Sequence, residues 1–353
     1  TRYIGVTGVQ TCALPISNVG SYGSSTTVPV VTVNGKGLVT AVSTTTIDPG
    51  INFKNRIING AMQVWQRGTS FTVSTTTVTY TADRFGIYQP SGSGTITRDT
   101  DAPTGFKYSL KVVGAGTDTI QRIESNNATD LSGQTVTVSF YFKQTVGAGS
   151  GSMSVALQYA NSADNFIALT SISTQTFTPT SSWALYTLTF TNLPSGVTNG
   201  MSIDIYPTSS GSSSTYFITG VQLEKGSTAT SFDYRPYTTE MQLCQRYYWK
   251  FGGSQFGGAY MPMVLFTGIS TTSATATIQL PVRGRTPPTS ITLGGSAPSI
   301  SAGTITTNLT LDRNSYDSVM VYVLGTGFAA GTSYRWIGNA DATTFLGFEG
   351  MEL

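Results

Sequence analysis

The feature that most constrains this chain is the alternation of apolar and polar residues in short segments that end at turn-forming residues. The segments "QTVTVSFYFK", "SMSVALQYA", "LYTLTF" and "MSIDIY" all follow this pattern. Because successive side chains of a strand point to opposite faces, a period of two predicts strands with one buried face. Such strands, separated by Gly, Ser, Asn and Pro, predict two antiparallel sheets packed face to face. The side chains predicted to lie in the core are Val136, Val138, Phe140, Phe142, Val155, Leu157 and Leu188.

The low charge of the chain excludes several classes of protein. Charged residues make up only 10% of the 353 residues, and the formal net charge is +2. The basic residues are scattered singly, whereas a nucleic-acid-binding protein would show a basic stripe. No stretch approaches the roughly 18–20 apolar residues that a membrane-spanning helix needs. There is no histidine, which removes the commonest general base and metal ligand. We therefore expect no nucleic-acid partner, no membrane insertion, no metal and no cofactor.

Residues 1–17 do not resemble the Thr-, Ser- and Gly-rich sequence that follows them. Their stretch "VTGVQTCALPIS" lacks the apolar core and cleavage site of a secretory signal. Val6 to Ile16 instead match, in one reading frame, the translation of the common indexed adapter used in short-read sequencing. We expect residues 1–17 to be translated adapter and the true amino terminus to be missing. Cys244 then remains as the single cysteine, so no intrachain disulfide is expected.

The rest of the chain divides into four predicted parts. Residues 18–50 are a β segment or a linker, with a hairpin signal at Asn34-Gly35. Residues 51–237 contain the alternating segments and predict one β-sandwich. Residues 238–253 predict a short linking helix, and residues 254–353 predict a second, smaller β-sandwich domain.

The linking helix is predicted from "TTEMQLCQRYYWKF", at residues 238–251. Thr238 or Thr239 is expected to cap it, and Glu240 suits the first turn of a helix. Cys244 lies at helical spacing with apolar neighbours, so we expect a buried thiol rather than a nucleophile.

Three segments of the large predicted sandwich resemble, in this order, the carbohydrate-binding-module-like jelly roll of phage tail fibres and other virion proteins. They are "NRIINGAMQVWQRGTSF" followed by "TADRFGIY", then "GFKYSLKVVG", and last "YFITGVQLEKGSTATSFDYRPY". The helix segment with a small β domain after it is also typical of that group, and "GLVTAVS" resembles a repeat of trimeric tail-fibre shafts. The resemblance covers residues 51–250 well and the rest loosely.

The resemblance implies an all-β fold: a jelly-roll-like β-sandwich, a short linking helix and a second, smaller β-sandwich domain. It implies a non-catalytic, extracellular protein of the phage tail that attaches to bacterial surface polysaccharide and assembles as a homotrimer with other virion proteins. Two alternatives stay open. One is a purely structural virion protein without a ligand, and the other is a fragment of a glycan-degrading tailspike whose catalytic domain is missing. Many sugar-binding relatives carry a carboxylate before the last strand that helps to hold calcium, and here Ile218 to Gly220 stand in its place.

Within this fold, several side chains have expected roles. Asn59-Gly60 is expected to turn the chain after the first strand, and Trp65 to fill the end of the sandwich. Arg67 or Arg84 is expected to pair with Asp83, which lies nearby in the sequence.

A sugar-binding face pairs an aromatic ring with polar side chains that hydrogen-bond hydroxyl groups. Tyr141 and Gln158 are expected on outward faces of their strands, and Arg122 and Glu124 on a further strand. Tyr141, Gln158 and Arg122 are therefore the candidate glycan-binding residues, and the alternative is an ordinary solvated or subunit-covered face. No catalytic motif is present, so no catalytic residue is predicted. Since no group has an unperturbed pKa between about 6 and 8, binding is expected to change little with pH there.

Overall fold

The structure, a computed structural model, describes residues 20–24, 27–46, 53–146, 151–208, 213–252, 261–294, 299–300, 304–305, 309–338 and 345–353. The expectation that residues 1–17 are adapter sequence lies outside these residues. The chain separates into two compact units, and the second begins at Phe53. The described elements are almost all antiparallel β-strands, which confirms the predicted all-β fold.

The first unit contains the predicted β-hairpin. Its strands are β1 (Thr27–Val33) and β2 (Val39–Thr46). The side chain of Asn34 accepts hydrogen bonds from the backbone N–H groups of Lys36 and Leu38, at 3.0 and 3.1 Å, and so stabilises the turn. The apolar side chains of the first strand are between 42 and 56% exposed: Val28, Val30, Val31 and Val33.

Two six-stranded antiparallel sheets form the large β-sandwich of the second unit. Sheet I contains β4 (Thr79–Tyr80), β5 (Gly86–Tyr88), β8 (Asp118–Ile123), β10 (Met153–Ser162), β11 (Asn165–Phe177) and β13 (Met201–Pro207). Sheet II contains β3 (Ser70–Val73), β6 (Gly94–Asp99), β7 (Ser109–Ala115), β9 (Val136–Val146), β12 (Ala184–Phe190) and β14 (Ser213–Lys225). The strand orders are β11-β10-β13-β8-β5-β4 in sheet I and β12-β9-β14-β7-β6-β3 in sheet II. The short helices of this sandwich are α1 (Ser125–Ala128) and two 3-10 turns, Thr129–Leu131 and Ser195–Asn199.

The core of the large sandwich lies between sheets I and II. All seven side chains predicted to be buried have exposed fractions of 7% or less. Phe140 and Phe142 of sheet II pack against Phe177 of sheet I, with ring centroids 5.3 and 5.2 Å apart. Trp65 also belongs to this core, as expected. The strand register is therefore the predicted one, since a slip by one residue would have exchanged the two faces.

The chain turns at Asn59, but the residues before it do not form the expected strand. Asn59 has a φ of 61°, in the left-handed region that Asn tolerates. Its side-chain amide donates to the carbonyl groups of Val64 and Asp83, at 2.9 and 3.0 Å. Its side-chain oxygen accepts from the N–H groups of Gln63 and Val64. One side chain thus satisfies four backbone groups of an irregular segment, and no strand pairing is needed there.

The linking helix is shorter than the sequence predicts. Helix α2 spans Tyr237–Gln245, and the residues that were expected to continue it form β15 (Trp249–Gly252). Trp249 pairs with Phe348 in a strand near the end of the chain, and their rings stack with centroids 5.2 Å apart. This pairing stabilises a strand where local sequence favours a helix. Cys244 is buried, as expected.

The start of α2 is held by a carboxylate rather than by a threonine. The residue before the helix is Pro236, and no side chain caps the first turn, so the expected capping by Thr238 or Thr239 is wrong. Glu240 is buried in the first turn and forms an ion pair with Arg235 at 3.3 Å. Glu240 also accepts a hydrogen bond from the backbone N–H group of Asn59, which connects the helix start to the sandwich.

The remaining strands build the second, smaller β-sandwich. Sheet III has β24 (Phe345–Glu349) between β15 and β18 (Ser290–Gly294). Sheet IV contains β16 (Met261–Gly268), β17 (Ser273–Gln279), β19 (Ser299–Ile300), β20 (Thr304–Ile305), β21 (Thr310–Asn314), β22 (Ser318–Thr326) and β23 (Ser333–Gly338). Leu346 and Phe348 of sheet III share one buried cluster with Val321 and Val323 of sheet IV. The two sheets therefore enclose a second core.

Candidate functional site

The outward face of sheet I is arranged in rows by its strand pairing. In one row, Tyr88 of β5 lies opposite Asp118 of β8. In the next row, Ile120 of β8 lies opposite Asp204 of β13. Arg122 follows two residues further along β8. Because alternate residues of a strand share a face, these five side chains lie on one side of the sheet.

A cleft of about 920 Å³ lies over this face. Residues 76–78 and Tyr80 line it beside the edge strand β4, and residues 165–167 line it from the other edge strand, β11. Glu352 and Leu353, which follow β24, also line it. The cleft is therefore formed by both edges of sheet I together with the segment after the last strand.

Three aromatic rings line the cleft, those of Tyr80, Tyr88 and Phe166. The hydroxyl group of Tyr80 donates a hydrogen bond to the backbone oxygen of Leu353 at 2.7 Å. The guanidinium group of Arg122 lies 5.3 Å from the centroid of the Phe166 ring. Tyr88 projects from the floor and is half-buried. Phe166 is buried, so the half-buried rings of Tyr80 and Tyr88 are the ones that offer flat apolar surfaces for stacking against a ligand.

Asp118 and Asp204 lie on the floor of the cleft, and their carboxyl groups have pKa values near neutral pH. Burial raises the pKa of Asp118 to about 7, and the neighbouring Asp204 carboxylate adds to this shift. Burial also raises the pKa of Asp204 to about 6, against the opposing effects of the Ser202 hydroxyl, which donates to it at 2.6 Å, and of Arg122. The expectation that binding changes little between about pH 6 and 8 rested on unperturbed pKa values, and the raised pKa values of Asp118 and Asp204 count against it.

The segment that closes the cleft is fixed by ion pairs. Glu352 pairs with the buried guanidinium group of Arg84 and, at 3.3 Å, with that of Arg67. These guanidinium groups also lie over the rings of Tyr247 and Tyr248, 3.5 and 3.7 Å from the ring centroids. Cation–π contacts of this kind are strongest where water is excluded. The Glu352 carboxylate thus forms ion pairs with two cations of the large sandwich, and Arg67 also lies 3.7 Å from the Glu349 carboxylate.

Neither Arg67 nor Arg84 forms the expected ion pair with Asp83. Asp83 is buried and accepts hydrogen bonds from the backbone N–H group of Gln66, at 2.8 Å, and from its side-chain amide. Burial raises the pKa of Asp83 to about 6. The expectation failed because Glu352, far away in the sequence, is the carboxylate that reaches both guanidinium groups.

The three candidate residues from the sequence do not form one site. Tyr141 lies on β9 in sheet II, whereas Gln158 and Arg122 lie on β10 and β8 in sheet I. β9 and β10 are consecutive in the sequence but belong to opposite sheets, so their outward side chains point to opposite sides of the sandwich. Gln158 and Arg122 share a row, separated by Ser202. Of the three candidates, only Arg122 lines the cleft.

Glu124 does not join this face either. It is buried and forms an ion pair with Arg246, just after α2, at 3.0 Å. Burial opposes ionisation, but the hydrogen bonds from Arg246 and Tyr247 prevail and lower the pKa of Glu124. Glu124 therefore fixes the end of α2 rather than contacting a ligand on sheet I.

Sequence reasoning missed Tyr88, Asp118 and Asp204. One signal was present: "MSIDIY" carries a single carboxylate, Asp204, at an outward position of a strand whose other face is apolar, whereas the face opposite Asp118 in "TDTIQRI" holds Thr119 and Gln121 and gives no such signal. A charge at such a position is costly once the face is covered. The pattern does not show that the two strands are neighbours, so it could not bring the carboxylates together.

Two further observations concern metal binding and membrane insertion. Within the described ranges, no group of three or more Asp, Glu, Cys or His side chains is placed to hold a metal ion. The helices of the described part of the chain are all too short or too polar to cross a membrane.

Comparisons with known proteins give similarities of fold alone. No family model and no curated protein matches the chain. The enzymatically active domain of tailspike protein 4 of Bacteriophage CBA120 is 16% identical, with a TM-score of 0.31, over 49% of this chain and 22% of its own. The family 22 carbohydrate-binding module of Clostridium thermocellum Xyn10B is 15% identical, with a TM-score of 0.32, over 42% of this chain and 89% of its own.

A third similar structure is the CBM22-1 xylan-binding domain of Paenibacillus barcinonensis Xyn10C. It is 14% identical, with a TM-score of 0.28, over 45% of this chain and 95% of its own. The match to the tailspike domain spans about a fifth of that protein's chain. Each of these matches covers less than half of this chain. The function of this chain therefore has to be inferred from its own residues.

Proposed function

We propose that the cleft on sheet I binds a glycan and that the protein attaches through it to bacterial surface polysaccharide. The observation that carries the proposal is the placement of the Tyr88 ring opposite Asp118, beside Asp204 and Arg122, in one cleft. An aromatic ring stacks on the C–H face of a sugar, while carboxylate and guanidinium groups bind its hydroxyl groups. A volume of about 920 Å³ suits a short run of sugar units.

The finer part of the proposal is that the chain is a non-catalytic tail fibre or host-recognition protein of a phage virion. It is supported by the resemblance of Asn55 to Phe71 and of Tyr216 to Tyr237 to such proteins. The exposed valines of the hairpin β1-β2 also support it, because an isolated hairpin is marginally stable and identical hairpins in a homotrimer would cover these side chains. Several weak sites on one particle would then bind strongly together.

The oligomeric state can be measured directly. We expect light scattering on the chain at micromolar concentration to give the mass of a trimer. A monomer under the same conditions would contradict the proposed assembly, while leaving the cleft proposal unaffected.

A second candidate function is glycoside hydrolysis, which the neighbouring carboxyl groups of Asp118 and Asp204 in the cleft favour. This reaction needs one carboxyl group that donates a proton and one carboxylate that stays ionised. With pKa values of about 7 and about 6, Asp118 holds a proton where Asp204 is already ionised. Release of reducing ends from a bound polysaccharide, abolished in Asp204→Asn, would favour hydrolysis over attachment.

The experiment for the glycan proposal compares the two outward faces of the large sandwich. Wild type, Tyr88→Ala and Tyr141→Ala are applied to an array of bacterial capsular polysaccharides and neutral oligosaccharides, and the strongest ligand is then titrated by calorimetry. Both variants remove one tyrosine, so Tyr141→Ala is the matched control. We expect Tyr88→Ala to weaken binding by about tenfold and Tyr141→Ala to leave it unchanged.

The same titration tests the expected independence from metal. We expect EDTA to leave binding unchanged. Loss of binding in Tyr141→Ala with normal binding in Tyr88→Ala would contradict the proposed site. The absence of any ligand on the array for the wild type would contradict glycan binding itself.

A further inference from the structure

The cations of the cleft are already engaged by the protein. Arg285 donates hydrogen bonds to the backbone oxygens of Met351 and Glu352, at 2.8 and 2.6 Å. Arg122 donates to the backbone oxygen of Leu353. These bonds orient the two guanidinium groups towards the segment after the last strand, while their positive charges stay unpaired by any carboxylate of the described residues.

Two of the acidic side chains in the cleft are also engaged. Glu352 is held by its two arginine partners. Asp164 accepts hydrogen bonds from the backbone N–H group and the hydroxyl group of Ser125, at 2.7 and 3.1 Å. Among the described residues, Asp118 and Asp204 form no ion pair either, and Asp204 accepts a hydrogen bond from Ser202. Among the described residues that line the cleft, three carboxyl groups without an ion pair, those of Asp118, Asp164 and Asp204, stand against two such cations, Arg122 and Arg285, so the cleft carries a net negative charge when these carboxyl groups are ionised.

Asp118 and Asp204 are close enough to act on one ligand group. Asp204 lies opposite Ile120, and Asp118 lies two residues from Ile120 on the same face of β8. Diagonal neighbours of this kind have Cβ atoms roughly 7 Å apart. A cation between them would contact both carboxylates and would relieve their mutual repulsion.

The ring of Tyr88 completes this position. Tyr88 lies directly opposite Asp118 on the neighbouring strand β5, and both line the cleft. An ammonium group is attracted by the face of an aromatic ring as well as by carboxylates. A hydroxyl group would gain hydrogen bonds there, but it would leave the negative charge uncompensated.

We infer that the cleft prefers glycans that carry a protonated amine, such as de-N-acetylated amino sugars, and disfavours polyanionic polysaccharides. The inference rests on the proposed glycan-binding function of the same cleft. Its chemical basis is a position where one ammonium group meets Asp118, Asp204 and the ring of Tyr88. The gain is a pair of charge-assisted hydrogen bonds that a neutral sugar lacks.

The test uses two ligands with one backbone and different charge. The β-1,4-linked hexamer of glucosamine, which has free amines, and the fully N-acetylated hexamer are titrated into the full chain by calorimetry at about pH 6.5 and low salt. We expect the amine-bearing hexamer to bind about tenfold more tightly. A hexamer of galacturonic acid is expected to bind more weakly than either.

Variants assign the preference to the two carboxylates. The double variant Asp118→Asn and Asp204→Asn is expected to bring the affinity ratio of the two hexamers close to one. Asp312→Asn, an exposed side chain on β21, makes the same type of charge change outside the cleft lining and is expected to keep the ratio. A ratio that survives the double variant would overturn the inference.

The remaining outcomes separate this inference from the proposed function. Equal affinity for both hexamers would overturn the amine preference and leave glycan binding intact. Failure of both hexamers to bind a protein that binds another glycan on the array would likewise overturn the amine preference alone. Failure of all glycans would overturn both.

Discussion

The two outward faces of the large sandwich differ in how their side chains are satisfied. On sheet II, the rings of Tyr141, Phe106, Phe232 and Tyr234 pack against one another, with centroids between 4.8 and 5.4 Å apart. The charges of that face are paired as well, since Lys111 lies 3.4 Å from Asp99 and Lys143 pairs with Asp101. The outward face of sheet II therefore offers few unsatisfied groups to a ligand.

On sheet I, the same architecture leaves two neighbouring carboxyl groups without an ion pair. Asp118 and Asp204 lie side by side without an ion pair among the described residues, and burial raises the pKa of both. Unpaired carboxylates in a partly covered cleft cost free energy, which a polar or cationic ligand can recover. We infer that the proposed ligand site is marked by carboxyl groups that form no ion pair, and that an aromatic side chain alone does not mark it.

The largest expected effect comes from removing the carboxylate that closes the cleft. Glu352→Gln leaves the buried guanidinium of Arg84 without its counter-charge, so we expect a loss of about 3–5 kcal/mol in the free energy of unfolding. Urea denaturation followed by tryptophan fluorescence measures it. Glu349→Gln, whose carboxylate lies 3.7 Å from Arg67, is the control and should cost less than about 1 kcal/mol. Equal losses in the two variants would refute the role given to Glu352.

A smaller effect follows from the titration of Asp118. Its pKa is raised by burial and by Asp204, from 3.8 to about 7, so the folded state binds the proton more tightly than the unfolded state. The stability that this tighter proton binding adds to the folded state is fully present below about pH 4 and is lost as pH rises towards 7. The free energy of unfolding of the wild type should therefore fall between about pH 4 and 7. We expect this fall to be smaller by about 1–3 kcal/mol in Asp118→Asn, as measured by denaturation at several pH values. A decline that is unchanged in Asp118→Asn would contradict the raised pKa.

Asp101 on sheet II should show the opposite sign. The hydrogen bond from Lys143, and then that from Trp183, lowers its pKa, so it contributes stability that is lost as pH falls through the folded pKa. We expect Asp101→Asn to reduce the loss of stability in acid and to leave the region near pH 7 unchanged. An effect of Asp101→Asn near neutral pH would show that the two faces do not differ as described.

The smallest effect is expected for Lys143 on β9 of sheet II, whose carboxylate partner is half-exposed. Lys143 lies over the rings of Phe217 and Trp183, at 4.5 and 5.5 Å, and pairs with the half-exposed Asp101. Because such ion pairs contribute little, Lys143→Met should change the free energy of unfolding by less than about 1 kcal/mol and glycan affinity not at all. A clear loss of glycan affinity in this variant would move the site to sheet II.

The core was predictable from the sequence because alternation acts within single strands. The pattern that buries Phe140 and Val155 needs no knowledge of which strands are neighbours. The proposed site, in contrast, can be predicted only when it is known which strands are neighbours. Tyr88, Asp118 and Asp204 come from strands that are distant in the sequence, so only the strand order of sheet I brings them together.

The errors have the same physical origin. Tyr141 and Gln158 lie on consecutive strands that belong to different sheets. The partner of Arg84 is Glu352, from the opposite end of the second unit, rather than its sequence neighbour Asp83. β15 replaces the end of the expected helix because a strand near the end of the chain pairs with it. Each error is a long-range contact overriding a local preference.

The central claim is that ligand binds on sheet I and not on sheet II, and hydrogen–deuterium exchange tests it most directly. The full chain is labelled with and without the glycan that gives the strongest array signal. We expect slower exchange in peptides that cover β5, β8 and β13, with no change in β9 and β12. Slower exchange confined to β9 and β12, or equally slowed exchange in the strands of both sheets, would contradict the claim.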